Sequence, residues 1–294
     1  MNTRGALRHL PGIGPRKIEQ LFQCGITTWP ELLDHCRASH LPGLDTRHAA
    51  LIAALEASET ALVNRDYARL TKTLHNADHW RILADFFEDA TFLDIETSGD
   101  ELRPEITLVI VRHQKKLHVF TADHNLDEFL HLLDDIKLFV TFNGATFDVP
   151  QLENHFHIPL RDIGHIDLRW VCYHAQLRGG LKEIERAIGL QRPPDLIGMD
   201  GAEAAWLWQR WKLTGNTKLL QRLTRYCSAD VIGLDHLSRW LIAKNTRGEC
   251  PGFDWSDLPG ETAMVTPVQN PLPELDRGLQ DRMRARLRTM RNLA

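Results

Sequence analysis

Residues Phe92 to Gly99 read FLDIETSG, an apolar run that closes on two carboxylates one residue apart. Side chains alternate along a strand, so Asp94 and Glu96 share one face with Phe92, while Leu93 and Ile95 take the other. A strand that is apolar on both faces lies inside a sheet, and its acidic end then sits at the rim of the core. Two negative charges held together at such a rim call for a counter-charge, and the rest of the chain indicates which.

Around this stretch the periodicities alternate. ITLVIVRH (Ile106 to His113) and KLHVFT (Lys116 to Thr121) flank a short polar turn and read as a hairpin following the first strand. A helix over Leu126 to Ile136, a strand over Lys137 to Gly144, a helix over Phe147 to His155, a short strand around His165 to Leu168, and helices to about Ile242 come next. Three strands in a meander followed by alternating helix and strand predict an α/β fold, a mixed sheet flanked by helices. This is the element order of the ribonuclease-H-like fold.

Composition narrows the function classes. The 294 residues are 43% hydrophobic and 25% charged, as in soluble globular proteins. No apolar run reaches the roughly 20 residues that span a bilayer, and the first residues lack the apolar region of a signal peptide, so a cytoplasmic protein without membrane contact is expected. The five cysteines are scattered with no C-x-x-C spacing, and the fifteen histidines form no recognisable ligand cluster. No phosphate-binding loop of the Walker type occurs. The net charge of −4 means that any nucleic-acid contact relies on local basic patches or on metal ions.

The N-terminal region is helical in pattern. HLPGIGPRKIEQL (His9 to Leu21) and HLPGLDTRHAALIAAL (His40 to Leu55) each lead from a Pro-Gly turn into an amphipathic helix, and Thr28 is placed to cap a helix between them. The first copy resembles the helix-hairpin-helix motif. Its turn, Gly12-Ile13-Gly14, lets backbone N–H groups approach a phosphate, with Arg16 and Lys17 just beyond it. The second turn has Asp45 in place of the second glycine, which suits a structural hairpin or a weakened phosphate contact. Both turns also serve as plain helix-to-helix connections. The expected division is a helix-hairpin-helix-like domain (1–58), a helical connector (59–90), a ribonuclease-H-like domain (91–245), and a Pro/Gly-rich tail with a basic terminal helix (246–294) that carries Arg277, Arg282, Arg284, Arg286, Arg288 and Arg291.

Two more acidic positions join the first pair. In FNGATFDVPQL, Asp148 follows the end of a strand and opens a helix, a place where aspartate also serves as an N-terminal cap. In YCSADVIGL, Tyr226 and Asp230 are four apart and share one helical face. The remaining acidic pair of similar spacing, Glu183 and Glu185 in KEIER, falls on a helix, where such residues diverge. Asp-x-Glu, Asn-Gly-x-x-Phe-Asp and Tyr-x-x-x-Asp, in this order, resemble the three motifs of the DEDD 3′→5′ exonucleases. Tyr226 indicates the tyrosine branch, since the histidine of the other branch is replaced by Arg225. GGLKEIERAIGLQRPPDLIGMDGAEAAWLW followed by YCSADVIGL further resembles the YprB-type domain of bacteria, over roughly Thr91 to Ala243.

The resemblance implies a nuclease that uses two Mg²⁺ or Mn²⁺ ions, a choice consistent with an all-oxygen ligand set. It assigns Asp94, Glu96 and Asp230 to one ion and Asp94 and Asp148 to the other, with Tyr226 and Glu96 orienting the attacking water. Asn143 and Phe147 would meet the terminal nucleotide, and Asp167 in HIDL would support the ligands from behind. The expected partner is single-stranded or duplex nucleic acid, with DNA favoured by the hairpin; protein partners are not specified. Two other functions share these features: a nucleic-acid-binding module with little catalysis, and a structure-specific endonuclease.

Overall fold

The computed structural model describes residues 2–38, 47–100, 104–250 and 252–260. The second hairpin turn (Gly43 to Asp45) and the arginine-rich segment after Pro273 lie outside the described residues.

Among the described residues, five α-helices precede the sheet: α1 (Pro15–Gln23), α2 (Trp29–Ala38), α3 (His48–Val63), α4 (Tyr67–Thr73) and α5 (His79–Phe86). Gly12 has φ +78°, which favours glycine, and the extended Gly14 precedes Pro15, whose fixed φ suits a first helical turn. Ile13 between them is buried, while Arg16 is exposed and Lys17 half-exposed. Helix α3 runs without a break through residue 58.

The sheet contains β1 (Ala90–Thr97), β2 (Ile106–His113), β3 (Lys116–Thr121), β4 (Leu138–Thr141) and β5 (Gly164–Asp167), ordered β3-β2-β1-β4-β5. Strands β1, β2 and β3 pair antiparallel, and β4 and β5 add in parallel on the other side of β1. Helices α6 (Phe129–Leu133), α7 (Asp148–Phe156), α8 (Leu168–His174), α9 (Leu181–Ala187), α10 (Gly201–Thr214) and α11 (Thr217–Thr246) are the other α-helices among the described residues. The fold is therefore the mixed sheet flanked by helices, with a helical N-terminal region. Among the described residues, no helix is long and apolar enough to cross a membrane.

The alternation along β1 sorts its side chains between two apolar layers. Phe92 joins Leu108, Ile110 and the buried residues of α11, whereas Leu93 and Ile95 pack with Phe129 and Leu152 of α6 and α7. Asp94 and Glu96 consequently point toward α11. The first layer is continuous with the N-terminal helices, including Trp29, Leu55 and Leu70.

Helix α11 is pinned beside the sheet by an ion pair as well as by packing. Asp235, buried, receives Arg112 of β2 at 2.7 Å and Arg239 at 2.5 Å, and Arg112 also reaches Asp257 at 2.7 Å. Residues 252–260 lie along this helix: Trp255 donates to the Gln191 carbonyl at 2.9 Å, and the rings of Phe253 and Trp255 meet His236.

Candidate active site

Asp94 and Glu96 stand on the last half of β1, half-buried, immediately before a register shift between Glu96 and Thr97. Such a bulge ends regular pairing and re-aims the side chains next to it. Beyond it, Gly99 takes φ +77° against α10, where an added Cβ would meet Ala205 at 2.8 Å.

Asp148 comes to the same place from the other side of β1. The chain leaves β4 through Phe142 and turns at Asn143, whose φ is +66°, a conformation asparagine tolerates better than most residues. At Gly144 a Cβ would land inside the Thr141 side chain, so only glycine lets the turn lie this close to the strand. The turn is held by Asp167, whose carboxylate accepts from the N–H groups of Asn143 (2.7 Å), Ala145 (3.2 Å) and Arg169 (3.0 Å). Phe147 occupies the cap position of α7, and Asp148 is its first residue. Asp148 accepts from the Ile95 N–H at 3.2 Å, which ties the third carboxylate to the strand between the first two.

The third segment is α11. It starts cleanly after the left-handed Gly215, with Asn216 accepting from the Lys218 N–H at 3.1 Å. Tyr226, Cys227 and Asp230 are all buried on the side that faces β1. The Cys227 thiol donates to the Asp94 carboxylate at 3.0 Å, and donor atoms of Asp94, Glu96 and Cys227 lie within 4.8 Å of one another.

Burial raises the Asp94 carboxyl well above its ordinary range, and Asp230, Asp148 and Glu96 push it further. Glu96 is pushed up to about 8 by burial and by Asp230, against the opposing pull of Lys182, and Asp148 to about 7, chiefly by burial. Burial and the same carboxylates raise the Tyr226 hydroxyl and the Cys227 thiol, so both remain protonated.

Asp94, Glu96, Asp148, Tyr226 and Asp230 thus lie in one neighbourhood around the end of β1, near enough for the carboxylates to act on one another and on the Tyr226 hydroxyl, with the 39%-exposed Phe147 at the start of α7 and Asp167 behind the turn before it. Gly12, Gly14, Arg16 and Lys17 belong to the separate N-terminal turn. Arg225, where the other branch has histidine, faces away and pairs with Asp195 at 2.7 Å.

Four further residues enter the site. Lys182 of α9 donates to the Tyr226 hydroxyl. Arg192, buried, grips Glu185 through two hydrogen bonds of 2.7 Å and reaches the Asp230 carboxylate at 2.5 Å. Glu185 is buried on α9, while Glu183, on a different side, turns back to accept from the Gly180 N–H at 2.8 Å. Cys227 is the fourth. The i,i+3 spacing of Lys182 and Glu185 on one helical face was a usable signal; Arg192, in an irregular Gln-Arg-Pro-Pro segment, offered none.

Comparisons with known proteins concern the same segment. No curated protein matches the chain in sequence. A solved structure of a family B DNA polymerase from the hyperthermophilic archaeon Pyrobaculum calidifontis superposes with a TM-score of 0.41 at 17% identity, covering 54% of this chain and 24% of the polymerase. The chain therefore spans about a quarter of that protein's length. The model of the RNase H superfamily matches residues 91–242, from the first residues of β1 to the far end of α11, and the chain belongs to that superfamily.

Proposed function

We propose that this protein is a metal-dependent nuclease of the tyrosine DEDD type, which hydrolyses nucleic acid from a 3′ end and releases nucleoside monophosphates, with DNA favoured. The observation that carries this reading is that Asp94, Glu96, Asp148 and Asp230, from three separate segments, lie near enough to act electrostatically on one another. A binding surface for phosphate gains nothing from concentrating carboxylates there; a site for divalent cations does.

The residues fit such ions. Mg²⁺ or Mn²⁺ prefers oxygen donors, and four carboxylates supply them; the protonated Cys227 thiol serves as a hydrogen-bond donor to Asp94 rather than as a thiolate ligand. Asp94, Glu96 and Asp230 would hold one ion, and Asp94 and Asp148 a second. Bound there, they would neutralise charge on the phosphodiester and favour ionisation of the attacking water.

The chain's own groups do the positioning. Tyr226, with its proton retained, donates a hydrogen bond instead of acting as a base, and Lys182 fixes the phenol oxygen. Glu96 shares the water's orientation. Asn143 and Phe147 meet the terminal nucleotide, and residues 1–58 hold the backbone through the Gly12-Ile13-Gly14 turn with Arg16 and Lys17. On this reading residues 91–245 perform the chemistry, 59–90 connect them to the hairpin region, and 246–294 form an appended tail.

The test is degradation of 5′-labelled and 3′-labelled single strands and duplexes, DNA and RNA, with Mg²⁺, Mn²⁺ or EDTA. A metal-dependent ladder from 5′-labelled DNA that Asp94→Asn abolishes is expected. Internal cuts on a structured substrate would instead establish an endonuclease, and binding without any cleavage a binding module.

A further inference from the structure

Next to the candidate active site a groove of about 620 Å³ opens between α8, the turn after β4 and the loop entering α9. It begins at Asn143, in the turn before Asp148, and one wall leads into α9, whose Lys182 bonds Tyr226. Its other wall is aromatic. Trp170 and Tyr173, three apart on α8, are 41% and 47% exposed, with ring centroids 6.0 Å apart and planes at 67°.

Large rings held in solvent beside a catalytic site are unusual, and these two are accompanied by cations. The Arg178 guanidinium lies 3.9 Å from the centre of the Tyr173 ring, and that of Arg169 lies 5.9 Å from Trp170 while donating to the Asn143 side chain. In a chain of net charge −4, this is a local concentration of flat rings and flat cations. A peptide or lipid surface would ask for a broad apolar face. Alternating aromatic and guanidinium groups match instead a strand with bases to stack and phosphates to neutralise.

We infer that this groove binds two unpaired nucleotides adjoining the terminal one, stacking one base on Trp170 and the next on Tyr173 while Arg169 and Arg178 meet the phosphates. A duplex keeps its base faces covered by their neighbours, so the groove selects single strands or frayed ends. The angle between the rings requires the strand to turn between the two bases. This deepens the nuclease reading and rests on it for the identity of the site at the groove's end.

The experiment separates the two claims. Binding is measured with the full chain in EDTA by fluorescence anisotropy of a 5′-fluorescein octathymidylate and of a blunt hairpin duplex. Trp170→Ala and Tyr173→Ala should each weaken octathymidylate binding about tenfold, Tyr173→Phe should retain it, and Trp206→Ala, an exposed tryptophan on α10 outside the groove, should leave it unchanged. The p-nitrophenyl ester of thymidine 5′-monophosphate, which is too short to reach α8, should be hydrolysed with Mn²⁺ equally by wild type and the two groove variants. Unchanged octathymidylate affinity in both alanine variants, or an equal loss of blunt-duplex affinity in them, would overturn the groove. Failure of wild type to hydrolyse the ester or any oligonucleotide, with binding still sensitive to Trp170 and Tyr173, would overturn the nuclease reading and leave the groove standing.

Discussion

Replacing Arg192 by methionine should destabilise the metal-free protein by an amount set by pH. Arg192 is the buried counter-charge for Glu185 and Asp230, and the substitution removes all three of its hydrogen bonds to them. An isolated carboxylate in such a place takes up a proton rather than remain charged. Burial already raises the Glu185 carboxyl above its ordinary 4.5, with Arg192 pulling the other way, so loss of the arginine raises it further. Holding Glu185 neutral at pH 7, about 2.5 pH units above that ordinary value, costs on the order of 3 kcal/mol, and the wild type, whose carboxyl is already raised, carries part of it, so the expected loss is on the order of 1–3 kcal/mol. A carboxyl whose folded pKa is raised contributes stability that is complete below its unfolded pKa and is lost as pH rises. The deficit of Arg192→Met should therefore shrink toward zero as pH falls to 5. Urea unfolding of both proteins in EDTA at pH 5, 6 and 7 measures it. A loss below about 1 kcal/mol at pH 7, or the same loss at all three values, would refute this account of Arg192. Glu185→Gln in the Arg192→Met background should recover most of the loss.

Three more outcomes are expected. Because Glu96 and Asp148 are pushed up to about 8 and about 7, both bind protons more tightly folded than unfolded; the melting temperature in EDTA should fall as pH rises from 5 to 8, and a flat or rising profile would count against the buried cluster. Saturating Mn²⁺ should remove that fall. Gly144→Ala drives a methyl group into Thr141 and should cost about 1–3 kcal/mol in urea unfolding, with a larger fall in kcat than an equally destabilising substitution in the N-terminal helices. Alanine at both Arg16 and Lys17 should lower the slope of log affinity for duplex DNA against log salt by about 0.9 for each phosphate no longer neutralised; an unchanged slope would make the hairpin purely structural.

How much of this was legible in the sequence depended on whether a residue acts within its own element. The alternation at Phe92 to Glu96 gave the facing of both carboxylates, and the four-residue spacing of Tyr226 and Asp230 gave theirs, because strand and helix periods are local properties. Asp148 needed more, since only the Asn143-Gly144 turn decides whether an aspartate at a helix start caps that helix or points at β1. Arg192 was not legible at all: its partners lie 7 and 38 residues away on two helices, and no period links them. Glu185 looked like one half of a divergent pair. That geometry is correct, but divergence sends it inward toward Arg192. Strand β4 ends at Thr141, not Gly144, because the left-handed Asn143 cannot continue a ladder.

The position of α11 in the chain has a temporal consequence. Asp230 follows Asp94 by 136 residues, so a polypeptide emerging from the ribosome carries three of the four carboxylates, on β1 and α7, well before the last. At roughly 5–20 residues per second, translation separates Asp94 from Asp230 by about 7–27 s. During that interval the nascent chain lacks the fourth carboxylate of the proposed cation site. On the proposed reading, the protein becomes able to act on a polynucleotide only when α11 closes over the sheet, which makes that docking event the moment at which reactivity begins.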